Sequence, residues 1–227
     1  MAEETRERAV GGAVRGLAAL VVLASALHFL GGRVADPDLW GHLKYGEQMF
    51  ADGDVPRLDV FSYTAPGAAF FDHEWLSDGV FAAVFRAGGA PGLIALKLAL
   101  CALMLAAILD AARTIARDLD GLRPLHPLTV AVVLVLSLAV IAPGATFRPQ
   151  LFTMAFLAVE GALLSRADRR LRKASSRAIG FELLTLPPLL LLWGNLHGGF
   201  LVGVGFLGMF AGAVALRALV AALRGGV

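Results

Sequence analysis

The sequence is poor in what soluble and secreted domains rely on. Cys101 is its only cysteine, which excludes an internal disulfide and a cysteine-rich metal cluster. Charged residues make up 17% of the chain, against about 25% in an ordinary soluble domain. The formal net charge is only +2. Charge that sparse, dispersed in short segments, excludes the footprint of a nucleic-acid-binding protein. There is no internal repeat. What the chain has instead is apolar length. Hydrophobic residues make up 58%, above the roughly 45–50% of soluble domains, and mean hydropathy is +0.73. This composition predicts an all-α, polytopic integral membrane protein. Helices satisfy their own backbone hydrogen bonds in lipid.

Six apolar stretches read as spans: residues 11–31, 91–110, 125–143, 149–165, 179–194 and 199–222. A crossing helix needs about 20 apolar residues, so the fourth and fifth are short. Pro187 and Pro188 each remove a backbone donor from the fifth, which predicts a kink there or a re-entrant pair. The first stretch follows three Glu in "MAEETRER", and no small-residue cleavage site follows it. It therefore reads as a retained anchor rather than a cleaved signal.

Cationic residues set the orientation. If the spans alternate, Arg6, Arg8, Arg15, Arg113, Arg117, Arg123, the "RADRRLRKASSR" loop and Arg224 fall on one side. The opposite turns hold only Arg148. Basic loops stay cytoplasmic. Residues 1–10 are thus a cytoplasmic N-terminus, and residues 11–227 form one membrane domain with an external loop over 32–90. Within that loop two interfacial helices are predicted. The first starts at Asp36 as cap and Pro37 as first helical residue, with an apolar face of Leu39, Trp40, Leu43 and Phe50. The second runs over residues 72–87, capped by Asp72 and ended by Gly88 and Gly89.

This topology gathers polar residues on the external face: Asp36, Asp38, His42, Asp72, His73, Glu74, Arg148, Gln150, Asn195 and His197. Each has a plainer role open to it. Asp36 suffices as a cap, and Asp38 suits the positive end of a helix. His42 lies one turn after Asp38, which suits a simple Asp–His pair. Arg148 can snorkel, and Asn195 and His197 can close a turn with Gly198 and Gly199. The oxygen and nitrogen donors of Asp38, His42, His73 and Glu74 also suit a divalent metal such as Zn or Mn. Lys97 lies inside the second span, where a charge costs about 2.5–3.5 kcal/mol at mid-helix. It reads as a counter-charge to a lipid phosphate or an external acid. Asp110, Glu160 and Glu182 read as structural or interfacial.

The stretches "DPDLWGHLKYGEQMFADGDVPRLDVFSYT", "DHEWLSDGVFAAVFRAGG", "FRPQLFT" and "NLHGGF" resemble the C superfamily of membrane glycosyltransferases. The bacterial proteins with a mannosyltransferase-like or lipid-A-sugar-transferase-like membrane domain are the most similar in pattern. The resemblance implies a bacterial inner-membrane enzyme that works among membrane lipid. It would transfer a sugar from a polyprenyl-phosphate donor to an acceptor at the outer face. A first-loop acid would be the general base: Asp38 by preference, or Asp36, which capping already explains. Lys97 and Arg148 would face the leaving phosphate, with Gln150, Asn195 and His197 in substrate binding. Some members use a divalent metal, and His42, His73 and Glu74 are the residues that would hold one. Family members usually have more helices and a further C-terminal region. This chain is therefore expected to be an N-terminal portion, a truncated member, or a module that needs a partner subunit. Two other readings stay open: a small transporter or flippase component, and a non-catalytic membrane scaffold.

Overall fold

A computed structural model describes residues 2–31, 35–117, 126–173 and 180–225. Arg123 and Arg177, used above for orientation, lie outside the described residues. The chain forms α1 (Ala2–Leu30), α2 (Asp38–Asp52), α3 (Trp75–Ala116), α4 (Pro127–Ile141), α5 (Gln150–Arg172), α6 (Gly180–Leu196) and α7 (Phe200–Gly225), with a short 3-10 turn at Ala142–Gly144. Among the described residues there is no β-strand, only an isolated bridge between Leu58 and Ala69 in the α2–α3 connection.

Four helical segments are long and apolar enough to cross a membrane: Ala9–Leu30, Trp75–Ala116, Pro127–Gly144 and Phe200–Arg224. Their outer surfaces are what lipid requires. Leu17, Leu20 and Leu27 of α1, Val132, Leu136 and Val140 of α4, and Leu201, Met209, Leu216 and Leu223 of α7 are all exposed. So much contiguous apolar surface belongs against lipid rather than water. The described residues are thus all-helical, with four helices that length and composition suit to a membrane.

The helix expected to end at Gly88 and Gly89 does break there. It begins at Trp75 rather than Asp72, and a second helical half follows directly after the non-helical Gly89, the two halves together making α3. Gly89 has φ 57° and ψ −149°, a conformation essentially open only to glycine. The corner is tight, because a β-carbon on Gly92 would meet the Val84 carbonyl oxygen at 2.9 Å. Pro91 lies in the first turn after the bend, where its missing donor costs nothing. Asp72 still works at the start, accepting the Glu74 backbone N–H at 3.0 Å.

α5 forms the centre, packed against α3, α6 and α7, while α1 packs mainly against α4. A run of aromatic rings, Phe81, Phe152, Phe156 and Trp193, links α3, α5 and α6 at centroid separations of 5.8, 6.4 and 6.2 Å. α6 continues through both Pro187 and Pro188, and its ends touch opposite ends of α5. Glu182 Oε2 lies 3.3 Å from Arg170 at one end, and Trp193 Nε1 donates to Thr153 Oγ1 at 2.7 Å at the other.

Lys97 is buried at 5% exposure. Its Nζ stands 5.1 Å from the centre of the Phe147 ring, beneath the turn that carries Arg148. Asp110 and Glu182 each face an arginine. Asp110 pairs with Arg166 at 2.8 Å and Glu182 with Arg170.

Candidate functional site

One end of the bundle collects nearly all the polar residues named above. α2 docks on the first half of α3 through Leu39, Leu43 and Gly46. The start of that half is tied to the α6–α7 turn. Trp75 Nε1 donates to Asn195 Oδ1 at 3.0 Å, and Ser77 Oγ donates to the Leu196 carbonyl at 2.6 Å. The 36–42 segment, the Arg148 turn and the 195–199 turn are therefore neighbours, as the topology read from the sequence requires.

Arg148 joins the first-loop acids. Its Nε is 2.7 Å from Asp36 Oδ2, and a terminal nitrogen is 2.8 Å from Asp38 Oδ2. The two acids differ in freedom, with side-chain exposures of 13% for Asp36 and 61% for Asp38. The Arg148 side chain beside Asp36 outweighs partial burial and holds that carboxyl below its usual range. Asp36 also caps α2, its Oδ1 accepting the Asp38 backbone N–H at 3.1 Å.

His42 does not pair with Asp38. Its Nδ1 lies 2.7 Å from Asp78 Oδ1 on α3. The reason is docking: the His42 side of α2 is pressed onto α3, while Asp38 stands at the open end of the helix and meets Arg148. Asp78 is 2% exposed. The His42 ring bonds to its carboxyl, and the Asp72 side chain lies beside it. Burial pulls the His42 pKa down. The Asp78 hydrogen bond and charge, with Glu74 and Asp38 behind them, prevail and raise it.

A second imidazole is fixed from the opposite side. His197 Nδ1 accepts the Gly199 backbone N–H at 2.9 Å and lies 2.7 Å from Thr153 Oγ1. A backbone N–H can only donate, so Nδ1 carries no proton in the neutral ring. Thr153 Oγ1 accepts from Trp193 Nε1 and donates its hydroxyl hydrogen bond to His197 Nδ1. The His197 Nε2–H then faces Glu74 Oε1 at 3.5 Å. Burial holds the His197 pKa down, the nearby His73 and His42 add to this, and Glu74 opposes it. His73 is exposed, with Nε2 3.7 Å from the same Glu74 oxygen.

These groups edge a cleft of about 380 Å³. Asp38, His42, Asp72, His73, Glu74 and Asp78 supply its polar lining, and Tyr45, Phe70 and Phe71 an aromatic wall. Tyr45 and Phe70 are stacked at 4.8 Å. Neither Arg148 nor Lys97 lines the cleft, and none of its lining residues is Lys or Arg. Arg148 reaches it only through Asp38.

Other expected site residues have local partners. Asn195 holds Trp75 with its oxygen and donates its Nδ2 to the Leu191 carbonyl at 2.8 Å. Gln150 approaches the Gly144 carbonyl at 3.5 Å across its own turn. Among the described residues, no three His, Cys, Asp or Glu side chains are grouped to hold a metal ion. His42 spends one ring nitrogen on Asp78, and His73 and His197 both turn to Glu74.

Asp78, Thr153 and Gly46 are contributors that the sequence reading missed. The signal for Asp78 was its place in "WLSDGVFAAV", where Trp75, Asp78, Phe81 and Ala82 share one helical face. An acid on an otherwise apolar face needs a partner. No protein-family model, curated protein or solved structure matches this chain.

Proposed function

We propose that the protein transfers a sugar from a polyprenyl-phosphate donor to an acceptor hydroxyl at the cleft-bearing face of a bacterial inner membrane. In this reading six helices cross: α1, the second half of α3, α4, α5, α6 and α7. α2 and the first half of α3 lie at the outer interface, and the N-terminus is cytoplasmic.

The observation that carries the proposal is the Arg148 junction. One guanidinium holds Asp36 and Asp38 at the mouth of an acid-lined cleft. Arginine grips phosphate oxygens by the same fork it uses for carboxylates. Asp36, the less exposed partner, anchors the guanidinium. Asp38, the more exposed one, gives way when a lipid-linked phosphate arrives. Lys97, under the same turn, adds positive charge behind the leaving group. The sugar then lies between a cationic ledge and an anionic cleft.

The test uses the full chain in nanodiscs with radiolabelled polyprenyl-phosphate glucose, mannose, arabinose and aminoarabinose, and total envelope extract as acceptor. Label should move from lipid to acceptor, and both Arg148→Ala and the double variant Asp36→Asn/Asp38→Asn should suppress the transfer. No transfer from any donor by the wild type, or full activity in both variants, overturns the assignment.

A second reading has one observation of its own. Glu160 on α5 is fully buried, and neither carboxyl oxygen has a hydrogen-bond partner. Acids inside a membrane bundle mark proton-coupled transport. Proton-driven solute uptake into vesicles, lost in Glu160→Gln and without any transfer product, would select that reading.

A further inference from the structure

The Arg148 ledge and the cleft beside it have opposite chemistry, and that difference divides the work of the site. Asp38, Asp72, Glu74 and Asp78 all line the cleft, and none of its lining residues is Lys or Arg. A phosphate is repelled there. A neutral polyol is not, because carboxylates accept hydroxyl protons in pairs and sugar C–H faces lie well against aromatic rings such as Phe71 and Tyr45. An amine-bearing sugar is attracted. The cleft volume of about 380 Å³ admits a small saccharide.

In that lining, His42 is the imidazole held in place by a buried acid. Asp78 Oδ1 takes Nδ1 at 2.7 Å, and Phe81 stands edge-on to the imidazole with centroids 6.0 Å apart. Nε2 is the nitrogen left to meet a ligand. A buried acid that fixes the tautomer and orientation of a histidine is the arrangement that turns imidazole into a directed base.

We propose that the cleft between α2 and the 70–78 segment is the acceptor subsite for a neutral or amine-bearing polyol, and that His42 Nε2, oriented by Asp78, takes the proton of the attacking hydroxyl. The inference rests on the transferase reading. It moves the role of base from Asp38, where the resemblance puts it, to His42. The acceptor oxygen forms its bond to the anomeric carbon as its proton passes to Nε2. The bond from that carbon to the phosphate oxygen breaks, and its electron pair leaves with the polyprenyl phosphate beside Arg148. His42 then returns the proton to water through the open cleft. Asp78 is a positioning residue.

Several charges face His42. Asp38 is on α2 itself, Asp72, His73 and Glu74 precede α3, Asp78 is on α3, and His197 is on the α6–α7 turn. All of these acids favour protonated His42, so transfer should rise with pH through a midpoint above the ordinary histidine value.

The experiment uses the full chain in nanodiscs with whichever polyprenyl-phosphate sugar the wild type accepts. His42→Ala should lose about 10²–10⁴-fold in kcat, the usual contribution of a general base. Added imidazole should restore part of it, which a merely structural role would not allow. Asp78→Asn should lower kcat and move the pH midpoint down. Asp38→Asn should raise the donor KM and leave the midpoint in place. Wild-type kcat in His42→Ala, or loss of the pH step in Asp38→Asn alone, overturns the inference while leaving the transferase reading intact. Loss of folding in His42→Ala would appear in its thermal melt, and His42→Gln, which keeps a polar partner for Asp78, then serves as the kcat test. Absence of transfer by the wild type removes the reading itself, and this inference with it.

Discussion

Gly46 of α2 lies directly against the Asp78 carbonyl of α3, so close that a β-carbon there would overlap both that oxygen and the Ala82 methyl. The contact brings the two helix backbones together and places His42, one turn earlier on α2, beside the Asp78 carboxylate. Gly46→Ala must push α2 away. Overpacking of this kind costs about 1–3 kcal/mol. The expected result is a lower melting temperature in detergent together with a loss of transfer. The control, Gly208→Ala on α7, faces open space and should lower neither.

The docking of α2 should weaken as pH rises. His42 gains the Asp78 carboxylate as a partner on folding, and its pKa is raised above 6.5. As pH climbs past 6.5 the folded chain therefore holds a proton that the unfolded chain has lost, so stability falls with rising pH there. Hydrogen exchange of the α2 amides, corrected for the intrinsic pH effect, should show less protection above pH 7 than near pH 5. Asp78→Asn should flatten the difference. Equal protection at both pH values would refute the linkage.

Asp36 and Asp38 should separate under mutation although both touch Arg148. Asp36→Ala removes a helix cap and the less exposed ion-pair partner together. Asp38→Ala removes only a largely exposed partner, and such pairs contribute little. Thermal melts should therefore rank Asp36→Ala as clearly the more damaging.

Asn195 and Ser77 fasten α3 to the α6–α7 turn. Ser77→Ala leaves the Leu196 carbonyl without its buried donor, a loss of about 1–3 kcal/mol. Asn195→Ala frees the Trp75 indole N–H and should lower stability while leaving KM for the donor unchanged. A raised KM with an unchanged melt would instead return Asn195 to the substrate.

The apolar runs of the sequence correspond to α1, α4 and α7, and the Asp36–Pro37 start of α2 is where capping chemistry puts it. Arg148 also meets the first-loop acids. The His42 partner was less legible. Local spacing offers Asp38, one turn away, and only the packing of α2 on α3 brings Asp78 closer. Gly46 carries no signal in a single sequence, since a mid-helix glycine is merely tolerated until a second backbone is known to cross it. Gly89 reads as a helix end and is one, and Pro91 starts the next helical half directly after the corner.

Gly203 on α7 approaches so closely that a β-carbon would overlap the Trp193 ring and come within 2.8 Å of the Glu160 carboxyl. Glu160 is therefore covered by helices that the ribosome makes after it. α5 is also absent from the four segments apolar enough to cross alone. Under the proposed six-span arrangement, α5 would be accommodated in lipid only once α6 and α7 stand against it, which would make the order of synthesis part of how the fold is reached.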